Sequence, residues 1–233
     1  MSTTAKATSK IIFHFDTVSP WSYVAYNFLK TYQPIWNVEL ELRPINLGYV
    51  MKYSGNRPPI SVANKGMWMF QDMNVASKFY KLELNQPKNF PIDTSNLQAV
   101  LRRLKDDRPE LLSTITEVFF KAIWNHDMKC KTRPEIESII DHFKVRSLFE
   151  RQGGSDLDSI LEKSFSKEDK VRLAQEAEKL VEEGAFGMPW MIVKRARDGE
   201  ETKWFGSDRF EQIAAFLEVP YRGPLGNGQV SKI

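Results

Sequence analysis

The sequence holds a single cysteine, Cys130, among its 233 residues. One thiol cannot form an internal disulfide, a Cys-x-x-Cys redox pair or a thiolate zinc site, so a reducing compartment is expected. Histidine is also scarce: His14, His126 and His142 fall in no metal-ligand spacing, and no metal is implied. No long apolar run exists; stretches such as residues 188–193 are far short of the ~18 needed to span a membrane. Charge of one sign is not concentrated either. The 33 basic and 30 acidic side chains leave a net +3 spread along the chain, without the basic stripe that a nucleic-acid partner requires. Residues 1–10 (MSTTAKATSK) lack the apolar segment of a secretory signal and read as a tail. Neither a membrane nor a nucleic acid is therefore an expected partner. What is present is an ordinary folded composition, with enough chain for one large domain or one domain carrying a sizeable insertion.

Residues 11–15 read as a buried strand that runs into the loop Asp16-Thr17-Val18. Ser19 is then a good N-cap and Pro20 suits the first helical position. That helix carries Tyr23, Tyr26, Phe28 and Leu29 to about Tyr32. Next, Val38, Leu40 and Leu42 alternate with Glu39, Glu41 and Arg43, a strand of period two. Strand, helix, strand implies a parallel pair. The middle is helical: Phe70, Met73, Ala76 and Tyr80 keep helical spacing, as do Leu97, Leu101 and Leu104, then Leu112, Ile115, Phe119 and Ala122, then Ile136, Ile139, Ile140 and Phe143. Thr132 to Glu135 forms a capping box. A last helix over 166–183 stops at Gly184, and no strand is expected between about 60 and 184. Strands return at 191–194 and 202–205 around the turn pair Asp198-Gly199. Ser207 is expected to cap a final helix bearing Phe210, Ile213, Ala214 and Leu217.

This order gives an α/β fold, a thioredoxin-like core interrupted by an all-helical insertion. The core takes residues 11–59 and 184–220, the insertion 60–183, with tails at 1–10 and 221–233. In such a fold ligands bind outside the C-terminal ends of the strands, facing helix N-termini. Three segments converge there. Ser19-Pro20-Trp21-Ser22 stands where a redox member carries Cys-x-x-Cys, so disulfide exchange is lost while the positive helix end stays. Gly187-Met188-Pro189 precedes a strand, where this fold holds a cis proline. Phe205-Gly206-Ser207-Asp208-Arg209 opens another helix and suits a carboxylate.

With Phe15-Asp16 and Ser19-Pro20-Trp21-Ser22-Tyr23, Met51 through Pro59 (MKYSGNRPP), Gly184 through Pro189 and Phe205 through Arg209 in register, the chain resembles the kappa-class glutathione transferases, a family that includes the bacterial 2-hydroxychromene-2-carboxylate isomerases. The resemblance implies glutathione as co-substrate, a small-molecule electrophile as second substrate, and a homodimer. By it, Ser19 hydrogen-bonds the glutathione sulfur and favours its thiolate, with Pro20 and Trp21 beside it. Asn56 and Lys65 hold the glycine end. Met188 pairs its backbone with the cysteinyl backbone, ahead of a cis Pro189, and Ser207 and Asp208 hold the γ-glutamyl carboxylate and ammonium. Trp21 stands where a tyrosine is common, and Met188 where another aliphatic residue is usual; both bear on electrophile choice.

Each segment also has a plain structural reading. Ser19-Pro20 is an ordinary N-cap, Ser207-Asp208 an ordinary helix start, Asn56 a turn residue, Lys65 a solvated charge, and it is their joint occurrence that points to a site. Cys130 and His14 are expected to be structural. The expected activity is conjugation of the glutathione thiolate to hydrophobic electrophiles, with peroxide reduction as a further activity. A glutathione-dependent chromene carboxylate isomerase is the alternative, and a non-catalytic binding module a third reading. The ending Ser231-Lys232-Ile233 is one conservative change from a peroxisomal address, so peroxisome or cytoplasm is expected, ahead of mitochondrion.

Overall fold

A computed structural model describes residues 8–151 and 154–229; Ser231-Lys232-Ile233 and the first seven residues lie outside the described residues. The chain opens with β1 (Lys10–Phe15), α1 (Pro20–Trp36), β2 (Glu39–Pro44) and α2 (Leu47–Ser54). A helical block follows: α3 (Ala63–Tyr80), α4 (Ser95–Asp107), α5 (Pro109–Trp124), α6 (Arg133–His142), the strands β3 (Glu150–Arg151) and β4 (Gly154–Ser155), α7 (Leu157–Ser164) and α8 (Lys167–Glu182). The chain closes with β5 (Trp190–Lys194), β6 (Glu201–Phe205) and α9 (Phe210–Leu217). The main sheet runs β2-β1-β5-β6, parallel at β1/β2 and antiparallel at the other two ladders. This is the expected thioredoxin-like core, and its strands leave the sheet where sequence patterning places them.

Alternation along β1 sends Ile11, Phe13 and Phe15 to one face, against α1 and the helical block. Phe120 of α5 sits 5.7 Å from Phe15 and 5.0 Å from Tyr23, ring centre to ring centre, so the block and the core share one apolar interior. The other face is smaller. There Ile45, Val50, Ala177, Leu180 and Trp190 form a second cluster, with α2 and α8 laid over the sheet. Both faces are thus covered, as a buried parallel pair needs.

Several elements differ from the sequence reading. Helix α1 runs on to Trp36, through Pro34, because Asn37 adopts the left-handed conformation and bonds its N–H to Gln33 O, closing the last turn. Helix α2 covers residues to which the sequence reading assigned no element: Asn46 caps it by accepting from Tyr49 N–H, and Gly55 ends it at φ +74°. A two-residue hairpin, β3/β4, lies inside the helical block where no strand is expected. The C-terminal segment packs on α1: Trp36 Nε1 donates to Pro220 O at 2.9 Å and Tyr32 Oη to Gly223 O at 2.7 Å.

Candidate functional site

The C-terminal end of β1 and the N-termini of α1 and α2 open onto a cleft of about 1170 Å³ between the sheet and the helical block. All the residues singled out from the sequence line it: Ser19, Pro20, Trp21, Asn56, Lys65, Met188, Pro189, Ser207 and Asp208. Ser19 is the N-cap of α1 and almost wholly buried. Its Oγ accepts from Ser22 N–H at 3.2 Å and donates to Met188 O at 3.3 Å. The 3.3 Å bond is long for an O–H donor, so the proton is loosely held and free to turn toward a better acceptor. Ser22, at the second position of the Ser-x-x-Ser pair, is fully buried, and its Oγ has no hydrogen-bond partner among the described residues. Beneath this helix end, Trp124 Nε1 of α5 donates to Thr17 O at 2.9 Å, so the helical block grips the loop that places Ser19.

The Met188–Pro189 bond is cis, as expected, and the Met188 carbonyl faces Ser19. Gly187 before it admits no side chain, because a Cβ would lie 2.9 Å from the Phe205 ring. Asn56 is exposed and bridges two loops: its Nδ2 donates to Phe186 O at 2.7 Å and its Oδ1 accepts from Arg57 N–H at 2.8 Å. Its first visible function is to pin the loop after α2 against the Met188 loop. Lys65 lies in the first turn of α3, exposed and on the cleft wall.

Ser207 needs a correction. It does not cap α9, which starts at Phe210 with Arg209 in the N-cap position and no side-chain cap bond. The chain turns at Gly206, φ +96°, and only after that turn can the helix begin. Ser207 and Asp208 therefore sit in the turn itself. Ser207 is buried and Asp208 is exposed, with Arg209 at 3.1 Å from its carboxylate.

Residues missed from the sequence complete the cleft. Asp72 and Tyr80 project from the same face of α3 as Met69 and Ala76. The Asp208 charge reaches both: with burial it holds the Asp72 carboxyl above its ordinary value, and burial pushes the Tyr80 phenol up to about 12. Phe90, Pro91 and Ile92 supply an apolar wall, with a second cis bond at Phe90–Pro91. The helical periodicity of α3 was readable, but nothing in it marks which face a cleft will take. Cys130 lies outside the cleft, and burial pushes its thiol up to about 12, which leaves it inert. Among the described residues no group of three or more His, Cys, Asp and Glu gathers to hold a metal, and no helix is long and apolar enough to cross a membrane.

The cleft thus offers a hydroxyl at a helix N-terminus, a backbone carbonyl ahead of a cis proline, and side chains of both charges in its lining, Arg57 and Lys65 with Asp72 and Asp208.

Residues 10–218 match the family described as DSBA-like thioredoxin domain. Glutathione S-transferase kappa 1 of Caenorhabditis elegans is 30% identical over 233 aligned residues, 96% of this chain and 98% of that protein. Glutathione S-transferase kappa 1 of Rattus norvegicus is 28% identical over 91% of this chain and 92% of its own. Among solved structures, a 2-hydroxychromene-2-carboxylate isomerase superposes with a TM-score of 0.72 at 17% identity, covering 90% of this chain and 94% of that one, which shows a shared fold.

Proposed function

The chain belongs to the kappa-class glutathione transferases within the DsbA-like thioredoxin-domain family, and from that premise we propose that it ionises glutathione at Ser19 and transfers it to small hydrophobic electrophiles. The observation that carries this reading is Ser19 itself: a hydroxyl at the N-cap of α1, facing the Met188 carbonyl, with serine rather than cysteine at both ends of the Ser-x-x-Ser pair. A free alkyl thiol has a pKa of ~8.5, so only a few per cent is thiolate at neutral pH. A helix N-terminus and a hydroxyl donor both favour the anion, and such settings bring thiol pKa values to ~7.5 or below. The thiol proton leaves to solvent, the Ser19 proton swings from Met188 O to the sulfur, and the thiolate attacks the electrophilic carbon. The C–S bond forms as the leaving group departs with its electron pair. Holding both partners in one cleft replaces a bimolecular encounter with an intramolecular one.

In this reading the glycine carboxylate lies toward Asn56 and Lys65, the cysteinyl backbone pairs with Met188, and the γ-glutamyl end meets Ser207 and Asp208. The cleft exceeds the ~300–1,000 Å³ of single-ligand sites, which leaves room for a second substrate against Trp21 and Phe90. The same thiolate would reduce peroxides, a second glutathione then closing the disulfide. The exposed Met67 and Trp68 of α3 would be covered in a homodimer. The peroxisome or the cytoplasm is the proposed location.

The test is a pH titration of the thiolate absorbance of glutathione bound to the protein, run beside Ser19→Ala. A bound thiol that ionises well below the free value, with that shift lost in the variant, supports the reading. Binding with no shift means a carrier or binding module, and no binding removes the proposal. Turnover of a chromene carboxylate in preference to conjugation would assign the isomerase activity instead.

A further inference from the structure

Asp16 follows directly on β1 and is only 1% exposed. Its carboxylate accepts four hydrogen bonds: Leu47 N–H at 2.7 Å, Val18 N–H at 3.0 Å, Thr94 Oγ1 at 2.6 Å and Gln98 Nε2 at 3.0 Å. Its backbone carbonyl accepts a fifth, from Ser19 N–H at 3.1 Å. Leu47 is the first residue of α2, Thr94 stands at the N-cap of α4, and Ser19 is the N-cap of α1. Three helix beginnings therefore meet at Asp16, those of α2 and α4 on its carboxylate and that of α1 on its backbone carbonyl, in the lining of the cleft that holds Ser19.

The partners favour the charged form. Two are backbone N–H groups that can only donate, and the Gln98 amide also donates to Thr17 Oγ1 at 2.9 Å. Such a setting fits a carboxylate acting as acceptor only, the ionised form. Burial holds the Asp16 pKa above its ordinary value, and the four donors pull it only part of the way back. No cation is among those partners, so the charge is balanced by dipoles alone. The nearby titratable groups are Asp93, ahead of Thr94, and Cys130, whose thiol stays neutral.

Resting on the reading of Ser19 given above, we propose that Asp16 is a positioning residue whose buried negative charge opposes the thiolate at Ser19 and so sets how much of the bound glutathione is ionised. The helix ends favour an anion, and Asp16 takes up part of that field. The consequence for catalysis is poise. A thiol ionised too easily is a weaker nucleophile, and the best attacking thiol has a pKa near the ambient pH. By holding Ser19 N–H on its own carbonyl, the same residue places the hydroxyl that donates to the sulfur.

The two roles move the bound thiol in opposite directions, which makes them separable. Thiolate absorbance of bound glutathione is titrated in the wild type, Asp16→Asn, Thr94→Val and Ser19→Ala, with thermal melts to confirm folding. Removing the charge in Asp16→Asn should lower the pKa of the bound thiol by about one unit, the scale of a buried charge several ångström away. Ser19→Ala should raise it. Thr94→Val removes one donor, favours neutral Asp16 and should lower the thiol pKa by a smaller amount. A rise in Asp16→Asn would mean that it only slackens the Ser19 loop, and no change would mean that Asp16 is neutral; either overturns the proposal. If Asp16→Asn fails to fold, Thr94→Val decides alone, a fall supporting the proposal and a rise or no change overturning it. A wild-type thiol with no shift defeats the reading of Ser19 first, and this inference with it.

Discussion

Gly206→Ala perturbs the cleft at a single point. Gly206 sits at φ +96°, a conformation that costs a residue with a Cβ about 1–3 kcal/mol. The new Cβ would also lie 2.7 Å from Asp208 Oδ1 and drive the carboxylate from its place. The strain should lower the melting temperature by roughly 2–4 °C per kcal/mol for a chain of this size. Loss of the Asp208 contact with the γ-glutamyl ammonium, a hydrogen bond between charged groups, should cost about 1.5–3 kcal/mol of binding, or about 10- to 150-fold in the glutathione Kd. Gly199→Ala is the control. Gly199 has φ +75° in the β5–β6 turn and nothing within 4 Å of a Cβ, so it carries the strain without the displacement. Thermal melts and calorimetric titration with glutathione read both quantities. Wild-type affinity in Gly206→Ala, or an equal loss in Gly199→Ala, would refute the assignment of Asp208 to the ligand.

Three further outcomes follow from burial and from the Ser19 argument. Cys130 should resist alkylation in the folded protein and react fully once denatured, because burial pushes its thiol up to about 12; Cys130→Ala should conjugate at the wild-type rate in a spectrophotometric assay. His14 is buried beside Arg43, and burial first, then that charge, lowers its pKa to about 4 from the ordinary 6.5. The unfolded chain therefore binds the extra proton between those values, and stability should fall as pH drops from about 6.5 to about 4, by up to ~3 kcal/mol. Urea unfolding at pH 7 and pH 5 should show a smaller pH dependence in His14→Phe than in the wild type; an unchanged dependence would place the protonation elsewhere. Ser19→Ala should also lower kcat/KM more at pH 6 than at pH 9, where free thiol ionises unaided; an equal loss at both would mean that Ser19 does not act on ionisation.

What could be read from the sequence is what local chemistry dictates. Ser19 before Pro20 caps α1 because a hydroxyl and a fixed φ serve that end in any context. The alternation in β2, the helical spacing of α4 and α5 and the stop at Gly184 are legible for the same reason. Helix α2 escaped because its eight residues bury only Val50, too short a stripe to show a period. Ser207 looked like a cap because a serine ahead of an apolar helix commonly is one; Gly206 bends the chain there, and the helix waits for Phe210.

The harder part of the site is set by docking rather than by periodicity. Residues of α3 follow one helical repeat whether they face the core, the cleft or solvent. Met73 is buried, Met67 is 66% exposed, and Asp72 lies on the cleft wall, with no local signal to separate the three. Asp16 is the same case from the other side. In the sequence it is an acid at a strand end, suited to a turn. Its partners arrive from 31 residues away at Leu47 and from 78 and 82 residues away at Thr94 and Gln98, after the helical block has closed over the sheet. The proposed glutathione end of the cleft is therefore built from short motifs that are visible in the sequence and point to a site when taken together. The wall proposed to select the second substrate exists only through the packing of α3 and the 90–94 segment against the core. Exchanging residues on that wall should change electrophile preference while leaving thiol ionisation at Ser19 in place.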